Sequence, residues 1–159
     1  LRSLPRLGFL ESYVYLYLRE FVSRSSVAVR VGQVLQALDP YRDALLAGNL
    51  LRVLAEAPTL DVDAMNVVRR FAWGRAPDAL RAVAVRALGR HASATDEADL
   101  KVQVWREADH RVIRSTLSAI KDANRVKSNV TLGDYRRANP EYTSVVDYLM
   151  RFGAPPPRY

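Results

Sequence analysis

The sequence predicts an all-α fold of stacked antiparallel helix pairs, an irregular helical-repeat solenoid or bundle, on three observations. Apolar residues recur at steps of three and four along almost the whole chain, the breaks between runs carry helix starters and stoppers, and no pair of segments alternates as paired strands would. One stretch, SYVYLYLREF at residues 12–21, does have a strand-like period, with Tyr13, Tyr15 and Tyr17 alternating with Val14, Leu16 and Leu18. A strand needs a neighbour, and none is visible. Leu10, Tyr13, Val14, Tyr17, Leu18 and Phe21 instead form a helical stripe that extends beyond the alternation. Because Tyr15 and Leu16 lie off that stripe, the helix is apolar over most of its circumference and is expected to be sandwiched. Since the chain starts at Leu1, it reads as a fragment, with the missing N-terminal portion of its parent as one partner of this helix.

The elements follow in order, about nine in all. The first helix is expected over 8–23 and the second over 26–38. Asp39-Pro40 supplies an N-cap and a first-turn proline for the third, which runs through Leu50 and Leu54 to Ala57 before Pro58 stops it. Asp61 and Asp63 complement the positive end of a fourth, which turns Met65, Val68 and Phe71 inward and ends at Gly74. Pro77 opens a fifth reaching His91; a sixth spans 96–107 and a seventh Asp109 to Ala123. After a polar connection at 124–129, an eighth short helix follows Thr131. Asn139-Pro140 then repeats the cap-and-proline start for a ninth ending at Phe152. Residues 1–152 read as one domain, and the closing GAPPPRY, 153–159, as a tail or linker that cannot continue a helix.

Composition narrows the function classes. A chain of 159 residues, 49% hydrophobic and 26% charged, can bury a sizeable core. It has no cysteine, which removes disulfides, thiolate catalysis and cysteine-based zinc sites, and points to a reducing compartment, the cytoplasm. No apolar run is long enough to span a bilayer, so no membrane partner is expected. The net charge of +7 makes nucleic acid or an acidic protein surface the natural partner. That excess is uneven, with 10 basic and 8 acidic residues in 1–80 against 14 and 9 in 81–159.

An internal repeat separates a solenoid from a simple bundle. Residues 80–88, LRAVAVRAL, align with residues 112–120, VIRSTLSAI, at an offset of 32, sharing aliphatics at the first, sixth and ninth positions, a small residue at the fifth and alanine at the eighth. Small residues let helices approach closely while aliphatics fill the layer between repeats. LRAVAVRALGR, preceded by Pro-Asp, resembles the second helix of HEAT (armadillo-type) repeats. The HEAT-like core is 39–123, the likeness being carried by 77–123, diluted over 39–73 and absent from 1–38 and 130–159. Ile113 stands where that family has arginine, and Thr116 where it has alanine. The resemblance implies stacked helix pairs acting as a scaffold for proteins or nucleic acids, with the second helices lining the concave surface.

On the seventh helix, at about 100° per residue, Thr116, Ala119, Ile120 and Ala123 share one side while Arg111, Arg114, Ser118, Lys121 and Arg125 share the other. This basic ridge is about four turns long, and in a HEAT-like arrangement Arg81, Arg86 and Arg90 would extend it. Spaced cations of this kind suit phosphates. Tyr13, Tyr15, Leu16 and Tyr17 form the candidate protein interface. The tyrosines near the other end, Tyr135, Tyr142 and Tyr148, suit base stacking or an interface, with core tyrosines whose hydroxyls reach the rim as the commoner alternative.

Catalytic constellations are poor. His91 lies on an apolar stripe and reads as a hydrogen-bonded core or helix-end histidine; His110 begins a helix beside Asp109; no metal set or nucleotide-binding glycine pattern occurs, and no cofactor is expected. Trp105 and Asp109, one turn apart, have a faint similarity to the HEAT-like alkylpurine DNA glycosylases, which pair an aromatic platform with a carboxylate. WREAD lacks the rest of that motif, and Asp109 reads better as an N-cap. The expectation is a non-catalytic recognition domain that binds nucleic-acid phosphates. Its alternatives are a C-terminal accessory domain of a nucleic-acid-processing enzyme, such as a bacterial reverse-transcriptase-like protein, or a protein-interaction scaffold.

Overall fold

The computed structural model of the chain describes residues 7–155. Among these are nine α-helices, one 3₁₀ turn and no strand. The helices are α1 (Leu7–Arg19), α2 (Ser25–Ala37), α3 (Ala44–Glu56), α4 (Val62–Trp73), α5 (Asp78–Arg90), α6 (Ala94–Arg106), α7 (His110–Ala123), α8 (Ser128–Ala138) and α9 (Thr143–Phe152), with the 3₁₀ turn at Pro140–Tyr142. SYVYLYLREF is therefore helical from Ser12 to Arg19 and turns at Glu20 and Phe21.

The odd-numbered helices α1, α3, α5 and α7 pack successively side by side; α2 and α4 pack on each other and back α3 and α5; α6 backs α7; α8 and α9 pack on α7 and on each other. Small residues set the closest approaches. A Cβ placed on Gly32 of α2 would lie 3.2 Å from Ala64 of α4, and one on Gly48 of α3 3.7 Å from Leu80 of α5. Both pairs are 32 positions apart, the offset of the sequence repeat. Gly89 of α5 sits so near α7 that a Cβ there would fall 2.4 Å from the Cα of Ala119. A single apolar core runs from Tyr15 to Leu149, with Phe71, Leu88, Leu117 and Ile120 almost wholly sequestered.

Local chemistry explains the helix ends. Asp61 caps α4 by accepting from the Ala64 N–H, and Gly74 closes it, as the sequence indicates. Ser93 and Asp96 form a reciprocal capping box that starts α6 two residues earlier than expected. Asp39 does not start α3. Its Oδ1 accepts from the N–H groups of Tyr41 and Arg42, closing a local turn, and the helix begins at Ala44 after Asp43. Asn139 likewise spends its amide backward on the Tyr135 carbonyl, so Pro140 opens a 3₁₀ turn and α9 starts at Thr143. The eighth helix starts at Ser128, three residues before Thr131.

The face that α1 buries differs from the expected stripe. Tyr13 and Tyr17 are 54% and 68% exposed, while Tyr15 is 4% exposed. The reason is polar: the Tyr15 hydroxyl donates to Glu56 Oε1 at 2.5 Å on α3, so the ring enters the core with its hydroxyl satisfied. Residues 153–155 also depart from a loose tail. Gly153, at φ +82° and ψ −178°, turns the chain back so that the Pro155 carbonyl accepts from Arg86 Nη2 at 2.7 Å. Residues 156–159 lie outside the described residues.

Candidate nucleic-acid interface

Three consecutive odd helices place one arginine each on a common cleft. Arg52 of α3, Arg86 of α5 and Arg114 of α7 line a depression of about 520 Å³, floored by Ala55, Ala82 and Val83 and walled by Tyr148 and Pro155. Arg114 is shared with a second depression that it lines together with Arg111, His110, Glu141 and Tyr142, so the basic surface continues along the first two turns of α7.

The arginines differ in how freely they can meet a ligand. Arg111 and Arg114 are exposed, and neither forms an ion pair among the described residues. Arg52 donates to Asn49 Oδ1 at 3.1 Å, a neutral partner that leaves its charge uncancelled. Arg86 is mostly buried, with its Nη2 3.3 Å from Asp122 Oδ2; that oxygen has no aligned hydrogen bond, and Arg86 Nη1 meets no acceptor. Burial pulls the Arg86 guanidinium below its usual range and pushes the Asp122 carboxyl above its own, opposed in each case by the charge of the other.

The remaining expected ridge residues sit apart from the cleft or are already engaged. Arg81 pairs with Asp78 at 2.9 Å and with Glu107. Lys121 is 6% exposed; its ammonium donates to the Arg125 carbonyl at 2.7 Å and to Asn129 Oδ1 at 2.8 Å, pinning the α7–α8 connection. Ser118 is also buried and donates to the Arg114 carbonyl at 2.9 Å. The helical wheel places both on an open face, but Ser118 sits at the bottom of depressions that α9 and Pro155 border, and the Lys121 ammonium is turned onto the α7–α8 connection and the first turn of α8. Arg125 and Arg90 remain exposed, close enough to Asp122 to hold down its upward shift.

His91 caps the end of α5, with its Nε2 3.0 Å from the Leu54 carbonyl, and burial lowers its pKa. Asp109 caps α7 by accepting from the N–H groups of Arg111 and Val112. Those bonds hold its carboxyl below the usual range. His110 Nδ1 is hydrogen-bonded to the Tyr142 hydroxyl. Trp105 is 48% exposed and packs at 4.9 Å on Tyr135, whose hydroxyl burial pushes up to about 12. Among the described residues, no group of His, Asp and Glu could hold a metal, and no helix is long and apolar enough to cross a membrane.

Sequence reasoning missed Arg52 and Pro155, whereas Tyr148 is one of the tyrosines near the chain ends that it offers for base stacking or an interface. Arg52 was signalled by a cation lodged inside the apolar run of Leu50, Leu51, Val53 and Leu54; Pro155 comes from a segment that only the Gly153 turn brings back. No family model matches the chain, and no curated protein or solved structure is detectably similar to it.

Proposed function

We propose that this is a non-catalytic, HEAT-like recognition domain that binds the phosphates of nucleic acid across α3, α5 and α7. The observation that carries this reading is the convergence of Arg52, Arg86 and Arg114, from three neighbouring helices, on one cleft that runs on to Arg111. Arginines on successive helices meet successive phosphates, and each neutralised phosphate releases condensed counterions, making affinity fall steeply with salt. The 32-position spacing of the Gly32–Ala64 and Gly48–Leu80 contacts supports the repeat character of the scaffold. In a larger parent, such a domain would act as the accessory module that holds the strand.

The test is binding of labelled single- and double-stranded DNA and RNA across a salt series, comparing the native chain with a variant carrying Arg52, Arg111 and Arg114 changed to alanine. Lys121 is left intact because it holds the α7–α8 connection together. Salt-sensitive binding that the triple variant loses bears the proposal out; undiminished binding in a folded variant sinks it.

A second reading rests on α1. Tyr13, Leu16 and Tyr17 are each more than half exposed on one face, with the Tyr17 ring 5.2 Å from Phe21. An apolar face of this kind suits a protein partner, whose binding would be insensitive to salt.

A further inference from the structure

The tail makes a contact that bears on how the cleft is used. Gly153 adopts φ +82° and ψ −178°, a backbone region essentially reserved for glycine. A Cβ at this position would meet nothing within 4 Å, so the conformation, and not lack of space, is what demands glycine. The turn delivers Pro155 into the cleft, where its carbonyl oxygen takes a bond from Arg86 Nη2 at 2.7 Å. A carbonyl oxygen is a weak substitute for an anionic one at a guanidinium. Arg86 Nη1 meanwhile is out of solvent with no acceptor, and its Asp122 partner is misaligned for a hydrogen bond. The cleft therefore contains a cation whose donors are underused, covered by a neutral group on a glycine pivot.

We propose that Arg86 is the cleft's phosphate subsite, and that the Pro155 carbonyl occupies it as an internal stand-in for a phosphate oxygen, so that the tail and the ligand exclude one another. The proposal rests on the phosphate reading of the cleft and adds its regulation. Displacing the tail frees Nη2, uncovers Nη1 and offers both donors, flanked by Arg52 and Arg114, to a single phosphate group. The same chemistry serves a strand phosphate or free inorganic phosphate, and the two are separated experimentally.

The experiment uses the whole chain and its Gly153→Ala variant, with Gly133→Ala as a control, because a Cβ at Gly133 also meets nothing within 4 Å and its φ is not positive. Nitrogen-15 NMR follows the Arg86 Nη2 and Nε–H resonances, while fluorescence anisotropy reads binding of a labelled oligothymidylate. Without ligand, Gly153→Ala should shift both resonances and Gly133→Ala should not. Gly153→Ala should then bind oligothymidylate about tenfold more tightly than the native chain, since weakening the internal competitor raises the competent fraction. Titrating the native chain should move both resonances toward their Gly153→Ala positions. A response to inorganic phosphate alone assigns the subsite to any phosphate group; a response to oligothymidylate alone assigns it to a strand. If Gly153→Ala leaves both resonances in place, the strap is overturned. If it moves them but oligothymidylate binds both forms equally, the competition is overturned and the phosphate reading of Arg111 and Arg114 survives. If oligothymidylate binds neither form while inorganic phosphate still displaces the tail, the subsite stands and the nucleic-acid reading falls.

Discussion

Arg69 holds Asp96 through two parallel bonds, Nε to Oδ1 at 2.7 Å and Nη2 to Oδ2 at 2.9 Å, tying α4 to the first turn of α6. Asp96 is 2% exposed and also takes bonds from the Ser93 N–H and hydroxyl. Arg69 foremost, against the cost of burial, and then Ser93 bring its carboxyl down to about 2.

A depressed carboxylate stabilises the fold above its unfolded value of about 4 and loses that contribution as pH falls through its folded one. Asp96→Asn should therefore cost stability at neutral pH, and its penalty should shrink as the solution is acidified from about pH 4 towards pH 2. With Arg69 34% exposed, screening holds the neutral-pH loss to about 1–2 kcal/mol. Thermal unfolding of both forms across that range checks it; a penalty constant with pH would count against the pairing.

Gly89→Ala should cost about 2–3 kcal/mol, because the added methyl meets the Ala119 backbone, which can yield only by moving α7 away from α5. Gly133→Ala on α8 meets nothing and should stabilise by about 0.5–1 kcal/mol through helix propensity. Urea denaturation of the pair decides; equal midpoints would mean that the α5–α7 crossing is looser than described.

Lys121→Met and Arg114→Ala should separate stability from binding. The first strands the Arg125 carbonyl and Asn129 Oδ1 and should lose about 1–3 kcal/mol of stability. The second should leave the melting temperature unchanged and reduce the salt slope of oligonucleotide binding by about 0.7 for a single strand, one phosphate's worth.

Tyr15→Phe should cost about 1 kcal/mol by removing the hydroxyl bonded to Glu56, measurable by denaturant titration. Tyr17→Ser, on the open face of α1, should leave stability within about 0.5 kcal/mol. A larger loss at Tyr17 than at Tyr15 would reverse the assignment of the buried face.

Periodicity and punctuation made the helices legible, because Gly74, Pro77 and Asp109 act within one turn of their own positions. The side chains that matter at the cleft depend on distant partners and were harder to read. The wheel of α7 cannot register that Ser118 sinks to the bottom of the cleft or that Lys121 is drawn onto the Arg125 carbonyl and Asn129. It separates Arg111 and Arg114 from the core but not from their neighbours. Asp39 misled because an aspartate closes a turn as readily as it caps a helix. On α1, apolar residues around the whole circumference left two possible inward faces, and Glu56, 41 positions away, selects the one that carries Tyr15.

The spacing of the tight crossings also sets the order in which the chain can assemble. Gly32 meets Ala64, Gly48 meets Leu80 and Gly89 meets Ala119, so each interhelical nucleus closes a loop of only one helix pair. Short closures lower the entropic barrier, and such topologies fold rapidly. The Arg86–Pro155 bond spans 69 positions and joins a three-residue segment to helices that must already be in place. It should form last in refolding and open first in the native ensemble, far below the free energy of global unfolding. Hydrogen exchange at Ala154 should accordingly outpace exchange in α5 and α7 under every condition in which the core stays folded.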